Sequence, residues 1–142
     1  MKDASERPVI AVDCNVLAHL LFDGEQTPRA RALLEHDADW HSEALILVEL
    51  TNVLATAMRA RGLTIQNASI ALTQAQTVVE PGLHGANHHE AMAVAAQFRV
   101  SAYDARYLVV ARDLGLKLVT EDAKLRAAAP RLTQSLSTAV GY

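Results

Sequence analysis

Only one cysteine, Cys14, occurs in the 142 residues. This excludes an internal disulfide and a zinc site built from thiolates. Aromatic residues are scarce at 4%, and no stacking platform for single-stranded bases is visible. No run reaches the roughly 20 apolar residues needed to cross a bilayer. The opening MKDASERP is polar and carries two acids, so no signal peptide is expected. A cytoplasmic protein is the simplest expectation. An excess of positive charge is also missing: the net charge is −3 with His neutral. That counts against a protein held to nucleic acid by a global basic field. Repeats, low-complexity tracts and linkers are absent, and the length suits one domain covering residues 1–142.

Short apolar runs alternate with helical patterns. Val9–Val12 reads as a buried strand running into a helix near Asn15–Leu21. Thr27–Glu35 reads as a helix with Thr27 as N-cap and Pro28 in its first turn. A brief strand is expected around Trp40, then a long helix from Ala44 to about Ala60, stopped at Gly62. A helix from Thr64 to about Gln76 should lead to a strand near Val78–Val79, ended by Pro81-Gly82. Asn87–Phe98 and Ser101–Leu114 are helical. Leu116–Thr120 is strand-like, Glu121–Ala129 is a short helix, and Leu132–Val140 should give a last short strand. Strands alternating with helices predict an α/β fold on a mainly parallel sheet.

Four acids stand in or directly after apolar stretches: Asp13 in VIAVDCNVL, Glu49 in LILVELTNVL, Asp104 in SAYDARYLVVA and Asp122 in LKLVTEDAKL. Three have a purely local explanation. Asp13 can cap the helix after its strand, Asp104 fits a capping box begun by Ser101, and Asp122 lies in a first turn that Thr120 can cap. Which of Glu121 and Asp122 points inward is not decided by spacing. Glu49 has no such explanation, because it interrupts the apolar run of a long helix. With Asn52 and Thr56 it forms a narrow polar stripe beside the core stripe of Ile46, Leu50, Val53 and Leu54. A parallel sheet collects ligand-binding residues at the carboxyl ends of its strands. Four carboxylates gathered there need a cation to stay ionised, and all-oxygen donors suit Mg²⁺ or Mn²⁺. Asn15 adds a neutral amide beside Asp13.

VIAVDCNVLAHLL, LVELTNVL and YDARYLVVARDLGLKLVTEDAKL together resemble the PIN-domain ribonucleases, in particular the VapC-like toxins of type II toxin–antitoxin pairs. The likeness runs from Val9 to about Leu125. It implies a three-layer α/β/α sandwich of about five short strands and a metal-dependent endoribonuclease that hydrolyses RNA phosphodiester bonds. By that resemblance Asp13, Glu49, Asp104 and Asp122 are the catalytic and metal-binding acids. Asp13 and Asp104 are the direct ligands of Mg²⁺ (or Mn²⁺), Glu49 binds or orients the water through the metal, and Asp122 completes the site or holds a second ion. Asn15 and Thr120 are supporting contacts. Cys14 departs from the commoner Ser or Thr. The toxin branch further implies a homodimer and a cognate antitoxin laid across the acidic pocket, with helices around Leu33–Leu34 and Ala44–Met58 as candidate surfaces.

Other residues are read blandly. His88-His89 face different directions on a helix and read as surface. Cys14 beside acids should have a raised pKa and make a poor nucleophile. Arg59, Arg61, Arg106, Lys124 and Arg126 are candidate phosphate contacts. A receiver domain would want paired acids at the first strand, and an aspartate-nucleophile phosphatase would want an acid at position 15, where Asn15 stands. The rival readings kept are a non-toxin PIN nuclease that processes RNA and a non-cleaving module holding a basic peptide in the acidic pocket.

Overall fold

The structure, a computed structural model, describes residues 9–141. Five strands form one sheet in the order β3-β2-β1-β4-β5, and every pairing is parallel. The strands are β1 (Val9–Val12), β2 (Asp39–Glu43), β3 (Leu83–His84), β4 (Leu118–Val119) and β5 (Thr133–Gln134). Helices α1 (Cys14–Leu21) and α2 (Thr27–His36) link β1 to β2, and α3 (Leu45–Arg61) and α4 (Ile65–Val79) link β2 to β3. The chain then passes through α5 (His88–Phe98) and α6 (Ala102–Asp113) to β4, α7 (Ala123–Ala128) to β5, and α8 (Leu136–Val140). A parallel sheet needs cover on both faces, and the short apolar strands are accordingly buried under helices. This is the expected α/β/α architecture. Among the described residues no helix is long and apolar enough to cross a membrane.

From β1 the chain first builds the sheet to one side through β2 and β3, then returns to the other side with β4. The carboxyl ends of β1 and β4 therefore meet at the point where the direction reverses, the place where parallel α/β sheets form a crevice. Ala11 pairs with Leu118 and Val12 with Val119. Asp13 and Thr120 consequently emerge side by side.

Several local expectations change. Val78–Val79 is no strand: it closes α4, with Val79 fully buried, and the strand lies beyond the turn at Glu80–Gly82. Burial against the sheet overrides the β-branched preference. The tail holds only a two-residue strand before α8, whose N-cap Ser135 accepts from the Thr138 amide at 3.1 Å. Thr27 is the first residue of α2 rather than its cap, and its hydroxyl instead bonds the carbonyls of His19 at 2.8 Å and Phe22 at 2.7 Å. Glycine is required at Gly82, where a Cβ would collide with the Trp40 carbonyl oxygen and press on His41. Gly82→Ala should lower stability by about 1–3 kcal/mol in urea unfolding. Gly85→Ala, with nothing near its Cβ position, should be close to neutral.

Candidate active site

Asp13 caps α1, accepting from the Val16 amide at 3.3 Å, and is 6% exposed. The capping explanation therefore holds for it. Asn15, in the first turn, donates to Asp13 Oδ2 at 3.1 Å and to the Thr120 hydroxyl at 3.3 Å. Its own Oδ1 accepts from the Glu121 amide at 3.1 Å. One amide side chain thus stitches the end of β1 to the loop after β4. The fully buried Thr120 hydroxyl also accepts from the Asp122 amide at 3.1 Å.

Thr120 is not the cap of α7, as the sequence suggested. Asp122 is, accepting from Lys124 and Leu125 amides at 2.9 and 3.2 Å. The Glu121–Asp122 ambiguity is resolved by the neighbour's destination. Glu121 turns away and accepts from the Leu136 amide at 2.6 Å, at the start of α8. Asp104 sits in the first turn of α6, where its amide bonds the Ser101 cap at 3.0 Å.

Asp13, Glu49 and Asp104 each respond to burial and to a neighbouring acid. Burial pushes Asp13 from its ordinary 3.8 up to about 7; hydrogen bonds from Thr120 and Val16 pull it down, and the charges of Asp104 and Asp122 push it up. Asp104 is raised by burial and then by Asp122, with Ser101 opposing. Glu49 is raised by burial, lowered by Tyr107, and raised again by Asp104 and Glu43. Burial together with Glu49 and Asp13 drives the Cys14 thiol to about 12, so Cys14 is a poor nucleophile. Tyr107, 2% exposed, is likewise raised by burial and by Glu49.

Among the described residues, no lysine or arginine forms an ion pair with any of the four acids. Oxygen donors with raised affinity for positive charge fit a hard divalent cation. No three described His, Cys, Asp or Glu side chains already surround one ion-sized point. Mg²⁺ tolerates this, because it commonly keeps several waters and takes only one or two carboxylates. The residues present therefore fit the ion, with water completing its shell. Two clefts lie along α3 and α4, lined by none of the four acids.

Sequence reading passed over Glu43. This last residue of β2 is 1% exposed; its carboxylate accepts from the amides of Leu45 at 2.8 Å and Ala86 at 3.4 Å and pairs with Arg106. The available signal was the one that exposed Glu49, an acid against an apolar run, here in HSEALILV. Arg106, a candidate phosphate contact, is instead committed to Glu43, the Ala86 carbonyl at 3.0 Å and His88 Nδ1 at 3.1 Å. Arg126 donates to the Thr120 carbonyl at 2.7 Å, and Lys124 is exposed at the start of α7. His88 and His89 are both exposed, as a surface reading requires.

Two outcomes follow. Arg106→Met strands the buried Glu43 charge and should cost about 3–5 kcal/mol; Glu43→Gln/Arg106→Met should recover much of that in urea titrations. For Asp13, the unfolded carboxyl ionises first as pH rises, near 4, while the folded one holds its proton to about 7. Metal-free protein should therefore lose stability between about pH 4 and pH 7, by at most about 4 kcal/mol. Unfolding in EDTA at pH 5 and 7.5 measures the slope. Asp13→Asn, which keeps a capping side chain, should flatten it.

Comparison with known proteins bears on the fold and the family. The fold is similar to the crystal structure of PAE2754 from Pyrobaculum aerophilum, with a TM-score of 0.72. That likeness covers 95% of this chain and 93% of the other at 24% identity, and it is one of fold. No curated protein sequence matches. The PIN domain model matches residues 10–130. That span begins in β1, ends beyond α7 and takes in all four acids, and the chain belongs to the PIN domain family, a nuclease superfamily whose members are generally metal-dependent.

Proposed function

We propose that the protein is a metal-dependent endoribonuclease that hydrolyses RNA phosphodiester bonds, with Asp13, Glu49, Asp104 and Asp122 as its catalytic acids. The observation that carries this reading is a set of carboxylates from four separate elements, three of which (Asp13, Glu49 and Asp104) are raised by burial and further by a neighbouring acid, with no lysine or arginine ion-paired to any of the four among the described residues. Asp13 and Asp104 hold Mg²⁺ or Mn²⁺, and Asp122 completes the site or serves a second ion. The bound ion supplies positive charge at the phosphate and makes water more acidic. Glu49, on α3 across from Asp104, orients the attacking water. Asn15 and Thr120 keep Asp13 and the β4–α7 loop in register, so that the carboxylates stay together despite their repulsion.

Within that reading we favour the toxin component of a toxin–antitoxin pair, inhibited by a cognate antitoxin and working as a homodimer in the cytoplasm. The sequence resemblance supports it, and so do the exposed apolar side chains Val48, Ile65 and Ile70 along α3 and α4, which suit protein partners. A non-toxin PIN nuclease acting in RNA processing would use the same acids. A small basic reading frame beside the gene favours the toxin.

The test is cleavage of structured and unstructured RNAs in Mg²⁺, Mn²⁺ and EDTA, with Asp104→Asn alongside. Wild type should cut only with metal, and the variant should lose about 10²-fold or more in rate. A folded wild type that leaves every RNA intact while retaining a basic peptide would replace the nuclease with a binding module.

A further inference from the structure

We propose that the cleft between the end of α1 and the outer face of α3 is a subsite for one nucleotide of the RNA strand, two or three steps from the phosphate that is cut. This deepens the nuclease reading and rests on it. Asn52 and Thr56 follow Glu49 by three and seven residues, so all three share one face of α3. Both line a cleft of ≈ 280 Å³ that also takes in Phe22, Val53, Ala57 and Arg61. Helix α1 starts at the Asp13 cap, next to the acids, and ends against this cleft at Phe22. The seam between the two helices therefore leads from the acids to the cleft. Thr56 lies about 10 Å beyond Glu49 along the helix axis. At a stacked rise of about 3.4 Å per nucleotide that is three steps, and fewer for an extended strand.

The lining suits a nucleotide. Val53 and Ala57 give an apolar floor, and the half-buried Phe22 adds the aromatic surface that composition alone did not reveal. Asn52 offers both donors and an acceptor and Thr56 a hydroxyl, the groups that read a base edge or a ribose 2′-OH. At the far end stand Arg61, in the cleft wall, and Arg59, whose Nη2 donates to the Thr56 hydroxyl at 3.4 Å. Asp23 lies beside Phe22 but is 97% exposed and pairs with Arg31 at 3.6 Å, so water screens it. Polarity thus changes from acids at one end of the seam to guanidinium groups at the other. A phosphate strand fits that arrangement; a basic peptide drawn to the acids would be repelled at the far end.

The test uses whole protein and two independent arms. In steady-state cleavage of a short single-stranded RNA, Arg61→Glu and Asn52→Ala should each raise KM about tenfold and leave kcat within about twofold. Asn52→Ala should also flatten the base preference two or three positions from the cut. Arg131→Glu, an exposed charge reversal elsewhere, should change neither constant. In the second arm, an oligonucleotide carrying 4-thiouridine at successive positions is photo-crosslinked in EDTA, where no cutting is needed. Crosslinks within residues 52–61 from positions two or three steps away support the subsite. Unchanged KM in a wild type that cuts, or crosslinks confined to other elements, overturns it and leaves the nuclease reading standing. A wild type that cuts no RNA sinks the nuclease reading itself, and the crosslinks still decide the cleft.

Discussion

Loss of water, reinforced by repulsion between neighbouring carboxylates, governs the carboxyl edge of this sheet. Asp13, Glu49 and Asp104 are all raised by loss of water, and each is raised further by a neighbouring acid. Left to itself such a cluster would spread apart or take up protons. What holds it is a small set of neutral hydrogen bonds. Asn15 uses both ends of its amide to join Asp13, Thr120 and the Glu121 backbone. Amides at helix starts meet the carboxylates of Asp13 and Asp122. These contacts fix positions without neutralising charge.

The second buried charge system takes the opposite course. Glu43 is more deeply buried than any of the four acids, yet Arg106 and two backbone amides satisfy it. Arg106 also reaches the Ala86 carbonyl and His88, and so ties β2, the β3–α5 connection, α5 and α6 into one network. Asp104 stands two residues before Arg106 on the same helix. The pair therefore anchors the frame on which one of the acids rides, and its arginine is not free for a phosphate.

Helix α3 serves both the core and the solvent side. Its buried stripe of Ile46, Leu50, Leu54 and Ala57 packs inward, while Glu49, Asn52 and Thr56 form the polar stripe beside it. That stripe was legible from spacing alone. Its connection to a cleft was not, because the opposite wall comes from Phe22, some thirty residues earlier in the chain. The same division explains the misplaced third strand. Val78–Val79 has the composition of a strand, and only its burial at the end of α4 makes it helical.

The sequence by itself determined the alternation of strands and helices, and hence a parallel sheet, because hydrophobic period and helix stops are local properties. It also marked Glu49 as out of place, since a carboxylate in an apolar run is costly wherever the run folds, although the same signal at Glu43 was missed. Tertiary structure alone decided which side chains meet. Glu121 and Asp122 are indistinguishable by spacing, and they part company only because α8 presents an unsatisfied amide to one of them. Arg106 looked like any surface cation until a buried glutamate from another element claimed it. Such pairings depend on distance in space, and desolvation and Coulomb energy respond to that distance rather than to separation along the chain.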